Sequence, residues 1–343
     1  MKIKNLRARK GFIFTEILTG LILQAGLILS MMFCARYLIL FYMKMSRILL
    51  ARERAQNVIL YLEPRIKNAG LGLWKCQTDA NTFHNVFTST QMGLKALEEF
   101  KYPLNVTNNF YSGEPPKDSN GIITGKCLSV LYSPTHEGLN VVLESSKSEI
   151  LSVNTNSRTK NYLIRGVYDK DTFDSRVYHY SATSHRDIRS WIVIPSAGIP
   201  FFAWRDGDYI EIKMSSRTDL KAELPAVTDF LLMRAERFYI YTIEDSKTGQ
   251  KSYELRADEL ITTKWNVSSL EKGIIKMHLE LHKKSNTLDL YLLSEGGEYV
   301  SLSGGENSKP KAWPDKADWD DEFLKHELHV QKASFKIENV NFY

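Results

Sequence analysis

Residues 17–35, from Ile17 to Ala35, carry no charged side chain. As a helix, 19 residues extend about 28 Å at roughly 1.5 Å each, enough to cross a hydrocarbon core of about 30 Å. The flanks are uneven. Met1–Gly11 contains Lys2, Lys4, Arg7, Arg9 and Lys10 and no acid, whereas Glu16 sits on the first turn of the apolar run. A carboxylate at membrane depth costs about 3 kcal/mol on insertion scales, so it reads as a functional group with a partner. This helix fixes the architecture: whatever follows it is attached to a membrane-length rod.

The basic leader also explains the net charge. The 343-residue chain is formally +5. Without the five basic residues of the leader, 40 basic residues balance 40 acidic ones. The excess is therefore a topological signal, positive side inside. It places the N-terminus in the cytoplasm and the rest of the chain across the inner membrane, and no nucleic-acid partner is expected from charge. Hydrophobic content of 43 % and charged content of 25 % are those of an ordinary globular protein. In an exported domain disulfides are permitted, and Cys76 and Cys127 are expected to pair, with two buried thiols as the alternative. Cys34 lies in the apolar run and reads as a small hydrophobe.

After Arg36 the apolar run continues to Met43, and its aromatics Tyr37, Phe41 and Tyr42 suit a membrane interface. From about Lys44 the pattern becomes amphipathic. Ile48, Ala51, Ala55, Val58, Ile59, Leu62 and Ile66 recur at helical spacing, with Arg47, Arg52, Glu53, Arg54, Gln56 and Asn57 on the other faces. One helix from about Phe12 to about Tyr61 is expected, kinked or ended near Pro64, with stops at Gly70 and Gly72.

Residues 77–125 are rich in turn formers, including Asn105–Asn109, with a short helix expected at about 91–100. Strands are expected at 128–132, 140–143, 191–194, 209–213, 238–243, 275–282 and 288–293, with a closing strand over 333–342. Several alternate polar and apolar residues, so the sheet is mostly antiparallel with one wet face. The expected fold class is α+β: a long N-terminal helix packed on a largely antiparallel β-rich head. The expected divisions are a leader at 1–11, a membrane helix at 12–43, its amphipathic half at 44–72 and an exported head at 73–343.

The segment Lys10-Gly11-Phe12-Ile13-Phe14-Thr15-Glu16 ahead of an unbroken apolar helix resembles the processing signal of type IV pilins and of type II secretion pseudopilins. The resemblance implies cleavage by a prepilin peptidase between Gly11 and Phe12, methylation of the new amino-terminal Phe12, and an assembly role for Glu16, the fifth mature residue. The new α-amino group, cationic near neutral pH, would lie four residues from the Glu16 carboxylate. An ordinary secretory signal has a shorter core and an A-x-A-like site, which Cys34-Ala35-Arg36 does not supply. A plain signal anchor accounts for the hydrophobicity but not for Gly-Phe-x-x-x-Glu.

Residues 53–72, ending Asn68-Ala69-Gly70-Leu71-Gly72, resemble the helix end of PilW-type minor pilins and J-type pseudopilins. Residues 209–213, 237–243, 252–256 and 275–282 resemble the C-terminal half of that group, where successive strands form one sheet against the helix. The function implied is a non-enzymatic minor pilin that primes assembly or caps a type IV pilus, in contact with other minor and major pilins. The alternatives are a type II secretion pseudopilin and an anchored exported binding or hydrolytic domain.

Other constellations are weaker. There is no G-x-S-x-G, P-loop or G-x-G-x-x-G. Ser157-Arg158-Thr159-Lys160 fits S-x-x-K in a polar, loop-like stretch. His278 and His282 share a strand face, and His326 and His329 fall one residue short of the helical H-E-x-x-H motif. Both pairs read first as ordinary sheet histidines. Asp315, Asp318, Asp320, Asp321 and Glu322 form an acidic knot that reads as a solvated turn, with calcium the only metal it suggests. No other cofactor is expected. Gly296-Gly297 and Gly304-Gly305 read as turns.

Overall fold

The computed structural model describes residues 4–73, 100, 102–107, 121–134, 138–143, 151–152, 160–168, 189–195, 198–206, 209–216, 227–261, 264–302, 307–340 and 342. One helix, α1 (Lys4–Lys67), runs for 64 residues. It is longer than the expected 12–61 at both ends. It ends at Lys67, three residues past Pro64, close to the expected stop. Proline there forfeits one donor, but its carbonyl still closes the last turn by accepting from the Asn68 N–H at 3.0 Å. The helix stops where Gly70 and Gly72 take positive φ of 74° and 79°. The Gly70 N–H then donates to the Leu131 carbonyl at 2.9 Å, so the helix end is tied to a strand of the head.

The two halves of α1 have different surroundings. From Phe14 to Phe33 the apolar side chains lie exposed, and this part is long and apolar enough to cross a membrane. In the second half Ala51, Ala55, Val58, Leu62 and Ile66 are fully buried, as is Ala69 just beyond the helix. Their three- and four-residue spacing makes one stripe. It meets Leu128, Val130, Phe238, Ile240, Leu255, Leu290, Leu292 and Phe335 in the main apolar core.

Among the described residues the strands fall into three sheets, all of whose pairings are antiparallel. The first contains β1 (Leu104–Thr107), β2 (Gly121–Tyr132), β10 (Arg234–Glu244), β11 (Lys251–Ile261) and β12 (Lys264–Lys272), in the order β1-β2-β10-β11-β12. A second has the order β13 (Ile274–His282), β14 (Thr287–Glu298), β15 (His326–Lys336). In β14, Leu288, Leu290 and Leu292 are buried while Asp289 and Tyr291 alternate with them, which is the period-two pattern of a sheet with one packed face.

The third sheet is an insertion between β2 and β10. It comprises β3 (Gly138–Leu143), β4 (Leu151–Ser152), β5 (Lys160–Tyr168), β6 (Arg189–Ile194), β7 (Ile199–Asp206), β8 (Tyr209–Ser216) and β9 (Val227–Leu232). Its order is β3-β9-β6-β7-β8-β5-β4, and β5 also pairs with β3, so six strands close into a ring. The chain leaves the first sheet at Tyr132 and re-enters at Arg234, its own pairing partner.

Three expectations are corrected. Residues 105–107, read as part of a turn-rich stretch, belong to the edge strand β1, where Leu104 pairs with Val130. The expected closing strand over 333–342 starts earlier, at His326, and ends at Lys336, because its partner β14 begins at Thr287 opposite Lys336. Ile337, Val340 and Phe342 remain buried beyond the ladder. The stretches 209–213, 237–243, 252–256 and 275–282 do not form one sheet but are spread over all three, since β8 belongs to the insertion. The short helix expected at 91–100 lies outside the described residues apart from the buried, non-helical Phe100.

Candidate functional site

The amino-terminal motif lies within α1, with Gly11, Phe12 and Glu16 in uninterrupted helix. Glu16 follows Phe12 by four residues, about one helical turn. Glu16 is exposed and makes no ion pair among the described residues. Thr19 sits one turn further on, its hydroxyl donating to the carbonyls of Thr15 and Glu16 at 2.9 Å each.

The amphipathic half meets the head through backbone. The Ser294 hydroxyl donates to the Ala51 carbonyl at 2.7 Å. Arg54 Nη1 donates to the Glu295 carbonyl at 2.6 Å, and Arg47 Nη1 donates to the Glu298 carbonyl. These two arginines were placed on the outer faces of the helix by periodicity. They belong to the seam, because their long side chains reach around the helix to bare strand carbonyls. Gly296 and Gly297 are likewise not a turn. They lie inside β14, at the irregularity between Glu295 and Glu298, directly under Arg47. Lys44 completes this end, 3.9 Å from the buried Glu327 carboxylate and 5.1 Å from the Tyr299 ring centre.

A second polar knot lies at the far end of the helix. Arg65 Nε is 2.7 Å from Glu236 Oε2, and the Tyr132 hydroxyl donates to Glu236 Oε1 at 2.5 Å. The Arg65 guanidinium also lies 3.4 Å from the centre of the Tyr61 ring. Burial, then the neighbouring Glu236 carboxylate, raises the Tyr132 phenol far above its ordinary range, so it stays a donor. The partners of Glu236 were not legible from local spacing, because Arg65 and Tyr132 each lie more than 100 positions from it.

A cavity of about 400 Å³ is lined by Lys126 of β2, Lys276 and His278 of β13, and Trp313, Lys316 and Asp318, among others. Lys126 donates to the Leu279 carbonyl at 2.9 Å and Lys276 to the Asp318 carbonyl at 3.3 Å. Burial pushes the Lys276 ammonium below its usual range, against the pull of Asp318 and Asp320. The Trp313 indole N–H is buried without a hydrogen-bond partner among the described residues.

The acidic knot is used locally. Asp320 caps the 3-10 helix Asp321–Lys325 by accepting from the Glu322 N–H at 3.0 Å, and Asp321 accepts from the Trp319 indole at 3.1 Å. Glu322 pairs with Lys251 at 2.7 Å and with Lys325 at 3.6 Å. Asp318 offers its carbonyl to Lys276, and among the described residues no hydrogen bond or ion pair engages the Asp315 side chain. His326 and His329 stand on β15, where a three-residue step puts side chains on opposite faces, so they do not converge. His326 instead meets Glu295 at 2.6 Å.

His278 and His282 share a face of β13 with Glu280 between them. The sequence reading missed Glu280 and Asp289. Their signal was the four-residue connection 283–286, which places Glu280 opposite Asp289 in the hairpin. Cys127 is buried, with its Sγ 3.9 Å from Ser129 Oγ. Cys76 lies outside the described residues, and no disulfide occurs among those described. Of the S-x-x-K stretch, only Lys160, the first residue of β5, is described.

Comparison with known proteins finds no matching family model, no matching curated relative and no matching solved structure.

Proposed function

We propose that this chain is a minor pilin of the PilW type, a structural and non-enzymatic subunit that primes a type IV pilus or lies near its tip. The observation that carries the reading is the division of α1. Its first half is exposed, apolar and of membrane length, and Glu16 stands one turn after Phe12. Its second half is anchored to a β head through Ala51, Arg47 and Arg54.

In this reading the leader stays in the cytoplasm and is removed after Gly11 by a prepilin peptidase. Phe12 then carries the new, methylated amino group. The exposed apolar face packs against the equivalent helices of major and minor pilins. Glu16 neutralises an amino group there, in its own subunit or a neighbour's, because an unpaired charge at that depth is penalised. The head is exported from the inner membrane. Its inserted β ring supports a role in contacts specific to this subunit, since it adds a whole sheet none of whose described residues belongs to the core beneath the helix.

Intact mass and amino-terminal sequencing of the protein from native membranes test the reading. The expected product starts at Phe12 and is heavier by one methyl group. Gly11→Val is expected to block processing, and Glu16→Ala to leave membrane insertion intact while abolishing piliation. A loss of secretion with normal pili would assign the subunit to type II secretion instead. A mature chain that keeps Met1, with Glu16→Ala silent in both assays, would make α1 a simple tether.

A further inference from the structure

We propose that Glu280, His282 and Asp289 form a zinc site on the outer face of the β13–β14 hairpin, independent of the role of the chain in assembly. One ligand atom from each lies within 4.8 Å of the other two. His282 Nε2 is 3.7 Å from Asp289 Oδ2 and 4.0 Å from Glu280 Oε2. In a tetrahedral zinc site with bonds of about 2.0–2.2 Å, ligand atoms stand about 3.4 Å apart. Small side-chain rotations close the difference.

Two further features point to a cation. Glu280 and Asp289 are direct partners across the β13–β14 ladder. Like charges in that relation destabilise a hairpin unless something positive sits between them. Each carboxylate is also held from behind. Glu280 Oε1 is bound by His278 Nε2 at 3.2 Å, and Asp289 Oδ1 accepts from the Ser334 hydroxyl at 2.6 Å. The remaining oxygens, Oε2 and Oδ2, face His282. Outer partners that orient ligands in this way are the usual support of a zinc centre.

Lys332 supplies the positive charge in the metal-free protein, with Nζ 3.1 Å from Asp289 Oδ2. Its side chain is 49 % exposed and lies 5.0 Å from the Tyr291 ring, onto which it can withdraw. His282 is 50 % exposed, so the metal enters from solvent and a water completes its shell. The imidazole ligand favours zinc over calcium, which takes oxygen donors.

The test is calorimetric titration of the untagged full-length chain in detergent with zinc chloride, then with calcium chloride. One equivalent of zinc is expected to bind, and calcium is not. His282→Ala should abolish binding, and Ser334→Ala should weaken it about tenfold. Lys332→Gln should tighten binding, since it removes the competing ammonium. Zinc should also raise the melting temperature of the native chain and not that of His282→Ala, which separates a lost ligand from a damaged fold. Absence of zinc binding, binding that survives His282→Ala, or calcium binding of equal strength would each overturn the site.

Discussion

Gly296 lies so close beneath the backbone of Arg47 that any Cβ at position 296 would overlap the Arg47 carbonyl group. The helix reaches this depth because its contact stripe begins with Ala51 and Ala55, both fully buried and without bulk. Backbone then meets backbone, and the seam is finished by Ser294 donating to the Ala51 carbonyl. The membrane-length rod and the head are thus coupled by main-chain contact, which transmits a push or pull on the helix better than flexible side chains would.

Gly296→Val should therefore loosen the rod from the head. The added atoms have nowhere to go, because the obstructing group is helix backbone and not a movable side chain. Overpacking of this kind costs about 1–3 kcal/mol. Thermal unfolding of the full-length chain in detergent should show a melting point several degrees lower. An unchanged melting point would mean that the helix does not sit on Gly296.

Arg65→Ala should be more damaging than Glu236→Gln. Removing Arg65 leaves a carboxylate that is 3 % exposed without its counter-charge. Breaking a buried pair from that side costs about 3–5 kcal/mol. Glu236→Gln keeps an acceptor for the Tyr132 hydroxyl and leaves Arg65, at 17 % exposure, able to reach water. Chemical denaturation of the two variants side by side checks the order. Equal losses would show that the knot contributes through packing alone.

What the sequence made legible was periodic. The uncharged run of 17–35, the burial stripe from Ala51 to Ile66 and the alternation of β14 all follow from one residue's relation to its near neighbours. The strand β12 was missed because its apolar residues, Trp265, Val267 and Leu270, do not keep a two-residue period and it lies at a sheet edge, where Val267 is 37 % exposed. The inserted ring was missed because closure depends on β5 meeting β3, a pairing that no local spacing records. Arg47, Arg54 and Gly296 were misplaced for one shared reason. Periodicity says which side of a helix is apolar, but not which polar residues reach around it or how near the next backbone comes. Pro64 marked the helix end to within one turn, the last turn still closing through the proline carbonyl.

The pH dependence of stability should carry the mark of His326. Its Nδ1 lies 2.6 Å from Glu295 Oε2 at the start of β15, with Glu298 and Glu322 adding negative potential. Contact with Glu295 raises the imidazole pKa above its usual value, against the opposing effect of burial. A raised folded-state pKa stabilises the fold while the group is protonated. That contribution is therefore fully present below the unfolded value of about 6.5 and is lost as pH rises through the folded value. His326→Gln should lower the melting temperature at about pH 5.5, where the imidazolium is intact in the native chain, and have a much smaller effect at about pH 9. Melting curves of both proteins across that range decide the matter. A difference that stays constant with pH would mean that His326 contributes by shape, and that Glu295 is neutralised by some other group.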